Sequence, residues 1–205
     1  MATGRPREFD PDAALDAAMK VFWHKGYEGA SLDDLTHAMG INRPSLYAAF
    51  GNKESLFRKA LDRYAHGPGS YLHKALAKPT AREAAECLLY GGIDVLTCPE
   101  SPGGCLVVQT ALACGQAAES IRRELVTVRT TSLDLIQKRF EKARHEGDLA
   151  KGVDCAGLAR YVATVMHGLS VQAASGADRK QLQQVAEWAL RAWPVSGSQE
   201  NERDR

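Results

Sequence analysis

Residues 42–53, NRPSLYAAFGNK, gather hydrogen-bonding groups on a short strip of chain. Arg43 carries a planar fork of donors that matches two adjacent acceptors, on a guanine edge or a phosphate. Ser45 and Tyr47 add hydroxyls, Asn42 an amide and Lys53 a mobile ammonium. Pro44 and Ala48 are compact and apolar, which permits close approach and contact with a thymine methyl. The strip holds no histidine, cysteine or carboxylate, so it suits a polyanion with readable edges better than it suits proton transfer.

A second set of reactive groups lies at 98–105, where Cys98 and Cys105 bracket PESPGG. Cys105 falls at the start of an apolar helical run, where a helix dipole lowers a thiol pKa. Two readings stay open. Cys105 is an oxidant- or electrophile-sensing thiolate that pairs with Cys98, or it is a small buried hydrophobe like Cys87, Cys114 and Cys155. The five cysteines form no CxxC pair and fit reduced thiols. Six histidines, at 24, 37, 66, 73, 145 and 167, show no HExxH or other metal spacing. With no GxSxG elbow, phosphate-binding glycine loop or paired carboxylates either, neither an enzyme nor a cofactor or metal is expected.

The elements that must position the strip are helical throughout. A helix starts at 10–11, with Pro11 in the first turn, where a missing N–H costs nothing. Leu15, Ala18, Met19, Phe22 and Trp23 give it one apolar stripe, and Gly26 supplies a stop. Ser31 caps a second helix, with Asp34 three positions on in a capping-box arrangement and Leu32, Leu35 and Met39 on its buried face. Gly40 ends it. Only residues 40–42 separate it from a third helix capped by Asn42, so the two must cross sharply. Pro44 sits in the first turn of that third helix and does not break it. At about 100° per residue, Leu46, Ala49 and Phe50 turn inward while Pro44, Ser45, Tyr47 and Ala48 turn outward, with Arg43 at the edge. Asn52 caps a fourth helix reaching to 66.

Three short helices with a tight turn between the second and third make a helix-turn-helix. A groove about 12 Å wide admits a helix about 10–12 Å across, and two turns suffice to present a few side chains. Charge does not enforce this reading. The net charge is +1, and residues 1–65 hold nine Lys and Arg against nine Asp and Glu. Non-specific affinity comes mainly from neutralised phosphates, so only the placement of Arg5, Arg7, Arg43 and Lys53 favours a polyanion.

The run ALDAAMKVFWHKGYEGASLDDLTHAMGINRPSLYAAFGNKESLFRKAL resembles the N-terminal domain of TetR-family transcriptional regulators. The F…KGY…S passage, LDDLTHAMGI, SLYAAFGNKESLF and their spacing carry the likeness over residues 9–65. It implies a dimer on a palindromic operator in double-stranded DNA, repression, and release by a small-molecule effector. Carried across by position, it makes Arg43, Pro44, Tyr47 and Ala48 groove contacts and Ser31, Ser45, Tyr47 and Lys53 phosphate contacts. Arg5 and Arg7 would reach the minor groove. Ala48 and Ala49 depart from many relatives, which have larger or polar side chains there, and leave Arg43 as the main direct reader.

The expected organisation is therefore all-α. A helix-turn-helix domain with its arm spans 1–66, a larger helical effector-binding and dimerisation domain 67–195, and a disordered tail 196–205. Within the larger domain, helices fall at 80–96, 105–115, 117–146, 154–175 and 178–193. The last two carry the homodimer candidates Leu158, Tyr161, Val162, Val165, Leu169 and Val171, and Leu182, Val185, Trp188, Leu190 and Trp193. The 105–115 helix, nearly all apolar, is expected at the centre of that domain. Tyr90, Cys105, Gln109, Tyr161 and His167 are the candidate effector contacts in an apolar cavity. No stretch is apolar enough for a membrane span and no apolar leader is present, which predicts a cytoplasmic protein.

Overall fold

Most helix starts in the computed structural model carry a side-chain oxygen that accepts from a free N–H of the first turn. Asp10, Ser31, Asn42, Asn52, Thr80, Asp154 and Asp178 all do so. The chain between them winds into α1 (Pro11–Gly29), α2 (Leu32–Met39), α3 (Arg43–Phe50) and α4 (Lys53–His66). A single 3-10 turn, Pro68–Ser70, leads to α5 (Tyr71–Leu76) and α6 (Ala81–Leu96). Then come α7 (Leu106–Ala113), α8 (Glu119–His145), α9 (Cys155–Ala174) and α10 (Arg179–Arg191). The structure describes residues 9–113, 115 and 118–194, the Leu112 side chain apart. Arg5, Arg7, Cys114 and the tail 196–205 lie outside them.

Two differences from the sequence pattern are local. The dihedrals of α1 leave the helical region at Gly26, where a stop is expected, but helical turns resume to Gly29. The 3-10 turn and α5 replace what reads as a plain break after 66. Six residues, YLHKAL, are too few to show a period.

The described residues form two compact units: 9–70 with 99–127, and 71–98 with 128–194. The structural division thus follows residue 70 rather than 66 and assigns 99–127 to the first unit. In that unit, Phe22, Tyr27 and Phe57 make an aromatic cluster, with Phe22 and Phe57 edge-on at 5.1 Å between centroids. Arg63 of α4 forks onto Asp16 of α1 at 2.8 and 2.9 Å. Long-range bonds among the described residues hold the segment from 99 to 113 and residue 115. Trp23 Nε1 donates to the Gly104 carbonyl at 2.8 Å, Gly115 N–H donates to the Glu28 carboxylate at 2.8 Å, and the Tyr64 hydroxyl meets Cys105 Sγ at 3.5 Å. Trp23 and Tyr64 in turn pack edge-to-face at 4.9 Å. The apolar α7 therefore lies on α1 and α4, whereas the sequence reading set it at the centre of the larger domain.

The second unit buries Leu88, Leu89 and Ile93 of α6, Ile136 and Phe140 of α8, Val162 and Leu169 of α9, and Leu182 and Ala186 of α10. Phe140 packs edge-on against Trp193 at 5.5 Å. The Arg139 Nη2 donates to the carbonyls of Lys78 and Pro79, both at 2.8 Å, and Asp148 accepts from Ala81 N–H at 2.6 Å. These two side chains fix the entry into α6.

Trp23→Phe removes the indole N–H together with the five-membered ring that carries it, leaving the Gly104 carbonyl without this donor and a small void beside it. Urea unfolding of this variant is expected to show a loss of about 1–3 kcal/mol. A variant as stable as the wild type would show that the bond does not hold the 99–115 segment.

Candidate nucleic-acid interface

The geometry of α3 begins with the two glycines that bound its setting. Gly40 adopts φ 64, ψ 30, a left-handed conformation in which its N–H closes onto the α2 carbonyls. The chain can then turn within Ile41 and Asn42 and start α3 at once. At the other end, Gly51 has φ 77, and a Cβ there would lie 3.3 Å from Ser55 Cβ. Its conformation stops α3 after eight residues and lets Asn52 cap α4.

Within those limits, Leu46 and Phe50 are buried and anchor α3, with Phe9 against Phe50 at 6.4 Å between ring centroids. The opposite face is open. Asn42, Arg43, Pro44, Tyr47 and Ala48 are all exposed, Tyr47 at 48%. Ser45 and Ala49 are half-buried, so Ala49 sits at the flank rather than inside. The Asn42 side chain accepts from Ser45 N–H at 2.9 Å through its amide oxygen.

Electrostatics on this face are locally paired. Arg43 Nη2 donates to Asp33 Oδ1 at 2.8 Å, and the hydrogen bond and charge of Asp33 hold the guanidinium above its ordinary pKa. Lys53 does not project freely. Its ammonium lies 4.7 Å from the Tyr27 ring centroid, and burial lowers its pKa against the opposing pull of Glu28 and Asp34. Ser31 is exposed, yet its hydroxyl accepts from Asp34 N–H and donates to the Asp34 carboxylate. Lys25 and then Ser31 hold the Asp34 carboxyl well below the usual carboxylate range. Asp33, Tyr27 and Lys25 shape the interface without being among the sequence candidates. Arg43 and Asp33 are ten residues apart across a turn, and no local spacing rule pairs them.

The remaining candidates divide between the units. Cys105 and Gln109 lie in the first, half-buried, with the Gln109 amide packed over the Gly104 α-carbon. Cys105 precedes α7 by one residue and is half-buried, whereas Cys98 is exposed. Tyr90, Tyr161 and His167 lie in the second. Tyr90 packs partly buried against the core, the Tyr161 hydroxyl donates to the Ala189 carbonyl at 3.2 Å, and His167 lies beside Arg129. On α9, α10 and the residues just after α10, Val162, Leu169, Leu182, Leu190 and Trp193 are core, with Leu158 and Val165 packed against it. Tyr161, Val171, Val185 and Trp188 are exposed, Trp188 at 68%. Among the described residues, no helix is long and apolar enough to cross a membrane.

Comparison with known proteins identifies the family. Residues 14–60 match the model for bacterial regulatory proteins of the tetR family, and residues 88–189 match the tetracyclin repressor-like C-terminal domain. The HTH-type transcriptional repressor ComR of Escherichia coli K12 is 34% identical over 193 residues, 93% of this chain and 92% of that protein. The HTH-type transcriptional repressor BdcR of the same organism is 32% identical, over 87% of this chain and 86% of its own. Among solved structures, a cysteine-substituted CifR, complexed with 26-bp double-strand operator DNA, is 49% identical with a TM-score of 0.88. That match covers 93% of this chain and all of the other. The chain belongs to the TetR family and is a DNA-binding transcriptional regulator.

Proposed function

We propose that two copies of this chain bind an inverted-repeat operator as a repressor and leave it when a small molecule binds the second unit. The carrying observation is the outward face of α3, where Arg43, Pro44, Tyr47 and Ala48 stand exposed above buried Leu46 and Phe50. The face is two turns long and bare of large side chains except Arg43 and Tyr47, which fits the first turns of a helix entering a major groove. Arg43 forks onto a guanine and Pro44 and Ala48 meet thymine methyls. Tyr47, Ser45 and Lys53 serve phosphates, Lys53 by swinging off Tyr27. Arg5 and Arg7 reach the minor groove. The Ser31 hydroxyl is already engaged by Asp34, so its phosphate contact runs through exchange of that partner. Repression is supported by the names of ComR and BdcR, and cytoplasmic residence by the DNA target.

An operator read twice requires a dimer that holds its reading helices about 34 Å apart. Tyr161 and Val171 on α9, with Val185 and Trp188 on α10, are large apolar groups left in water by the second unit's own core. They favour a second copy as the cover. A thiol-sensing form of the same function also has one support. The Cys105 sulfur touches the Tyr64 hydroxyl, so adduct formation there disturbs a residue packed on Trp23. Undiminished diamide release in a Cys105→Ser variant would reject it.

Gel-shift with the chain's own upstream intergenic DNA tests the main reading, and absence of a shift at every salt concentration would overturn it. In selections from random DNA, Arg43→Ala is expected to lose preference at one base per half-site, at about 1–3 kcal/mol. Lys53→Ala is expected to weaken all sequences alike and to make the salt slope shallower by about one per half-site. Trp188→Glu is expected to give a monomer by light scattering and a matching loss of operator affinity; a stable dimer would move the interface elsewhere.

A further inference from the structure

The inward stripe of α8 runs through Leu125, Ile136, Phe140 and Ala143, all buried, and at the fourth position after Leu125 it carries Arg129. An arginine in a stripe of this kind needs acceptors. Other arginines held against the protein have them: Arg63 meets Asp16, Arg139 two backbone carbonyls, and Arg144 the Val153 carbonyl. Among the described residues, Arg129 is hydrogen-bonded to an imidazole alone. Its Nη2 lies 3.5 Å from His167 Nδ1 on α9, and its buried Nε has no hydrogen-bond partner among the described residues. The two other orphaned buried atoms differ in kind. Thr110 Oγ1 is neutral, and Arg139 Nη1 belongs to a guanidinium already anchored through Nη2.

Nε–H and one Nη2–H of a guanidinium project in parallel from the same edge, the edge on which a carboxylate docks through both oxygens. In Arg129 that edge carries one atom without a partner and one at the far limit of a hydrogen bond. Two basic side chains therefore face each other across α8 and α9, and among the described residues no acid is hydrogen-bonded to either. Burial, then the Arg129 charge, keeps the His167 imidazole below its ordinary pKa, so its Nδ1 serves Arg129 as an acceptor. An anion between the two would reverse the pull on the imidazole and make it a second donor.

We propose that Arg129 and His167 form a carboxylate-binding subsite in the second unit, and that the effector is an organic acid with an apolar body. The proposal rests on the reading of the second unit as effector-binding. It deepens that reading by assigning the ligand a charge and the site a guanidinium.

The test compares sodium benzoate with benzamide, close in shape but uncharged, on the full-length protein at ionic strength matched with sodium chloride. Thermal melts are recorded for the wild type, Arg129→Leu and Arg129→Gln, the second variant serving if the first does not fold. Benzoate is expected to raise the wild-type melting temperature by several degrees and benzamide to leave it unchanged. Both variants should lose the benzoate response. No benzoate response in the wild type, equal responses to the two compounds, or a full benzoate response in the variants would overturn the subsite. Gel-shifts without benzoate separate this outcome from the broader reading. Variants that bind operator as well as the wild type, but ignore benzoate, locate the defect in ligand recognition. A wild type that binds no operator would count against DNA regulation while leaving the melting result to judge the subsite.

Discussion

The burial of Leu46 and Phe50 is the interaction on which the rest depends. A helix of eight residues has room for two core anchors one turn apart, and once these are inside, the opposite side is obliged to face outward. Arg43, Pro44, Tyr47 and Ala48 owe their exposure to that constraint and not to any preference of their own. Gly40 and Gly51 set the length over which it acts. The left-handed turn at Gly40 brings the chain back under α2, and Gly51 releases it before a third turn can form.

Charge in the first unit is spent internally. Asp34 is held by Lys25 and Ser31, Asp16 and Asp12 by Arg63, and Glu54 and Glu124 by Arg58. Exposed pairs of this kind add little stability each, but together they keep the acids from presenting an unbroken negative field to DNA. Even Arg43, the side chain best shaped for a base edge, rests on Asp33. A unit so balanced in charge offers little general attraction for phosphate.

The attachment of 99–115 to α1 and α4 gives the first unit more than a reading head. Trp23, Tyr64 and Glu28 hold a loop and helix that come from the middle of the chain, by an indole donor, a hydroxyl and a carboxylate. α8 contributes residues to both units. The first turns of α8 fall in the same unit as α1 to α4, and its later turns in the other. Arg129 stands two residues past the point where that membership changes.

The amino-acid sequence alone determined the local features of this protein. Capping residues, glycine stops and 3.6-residue apolar periods placed the long helices, although α1 runs three residues past its expected stop at Gly26. The spacing around Asn42 announced a short helix with an exposed outer face. These signals are short-range, and backbone physics reads them without knowing the fold. Tertiary structure decided everything that needed a partner from elsewhere in the chain. α7 is apolar nearly all round, which says that it is buried but not by what; only the fold set it on α1. The apolar residues of α9 and α10 look alike as letters, yet Leu169 and Leu182 are core while Val171 and Trp188 face water. Lys53 over Tyr27, Arg43 on Asp33 and Arg129 beside His167 depend on where helices cross, a geometry that no window of sequence contains.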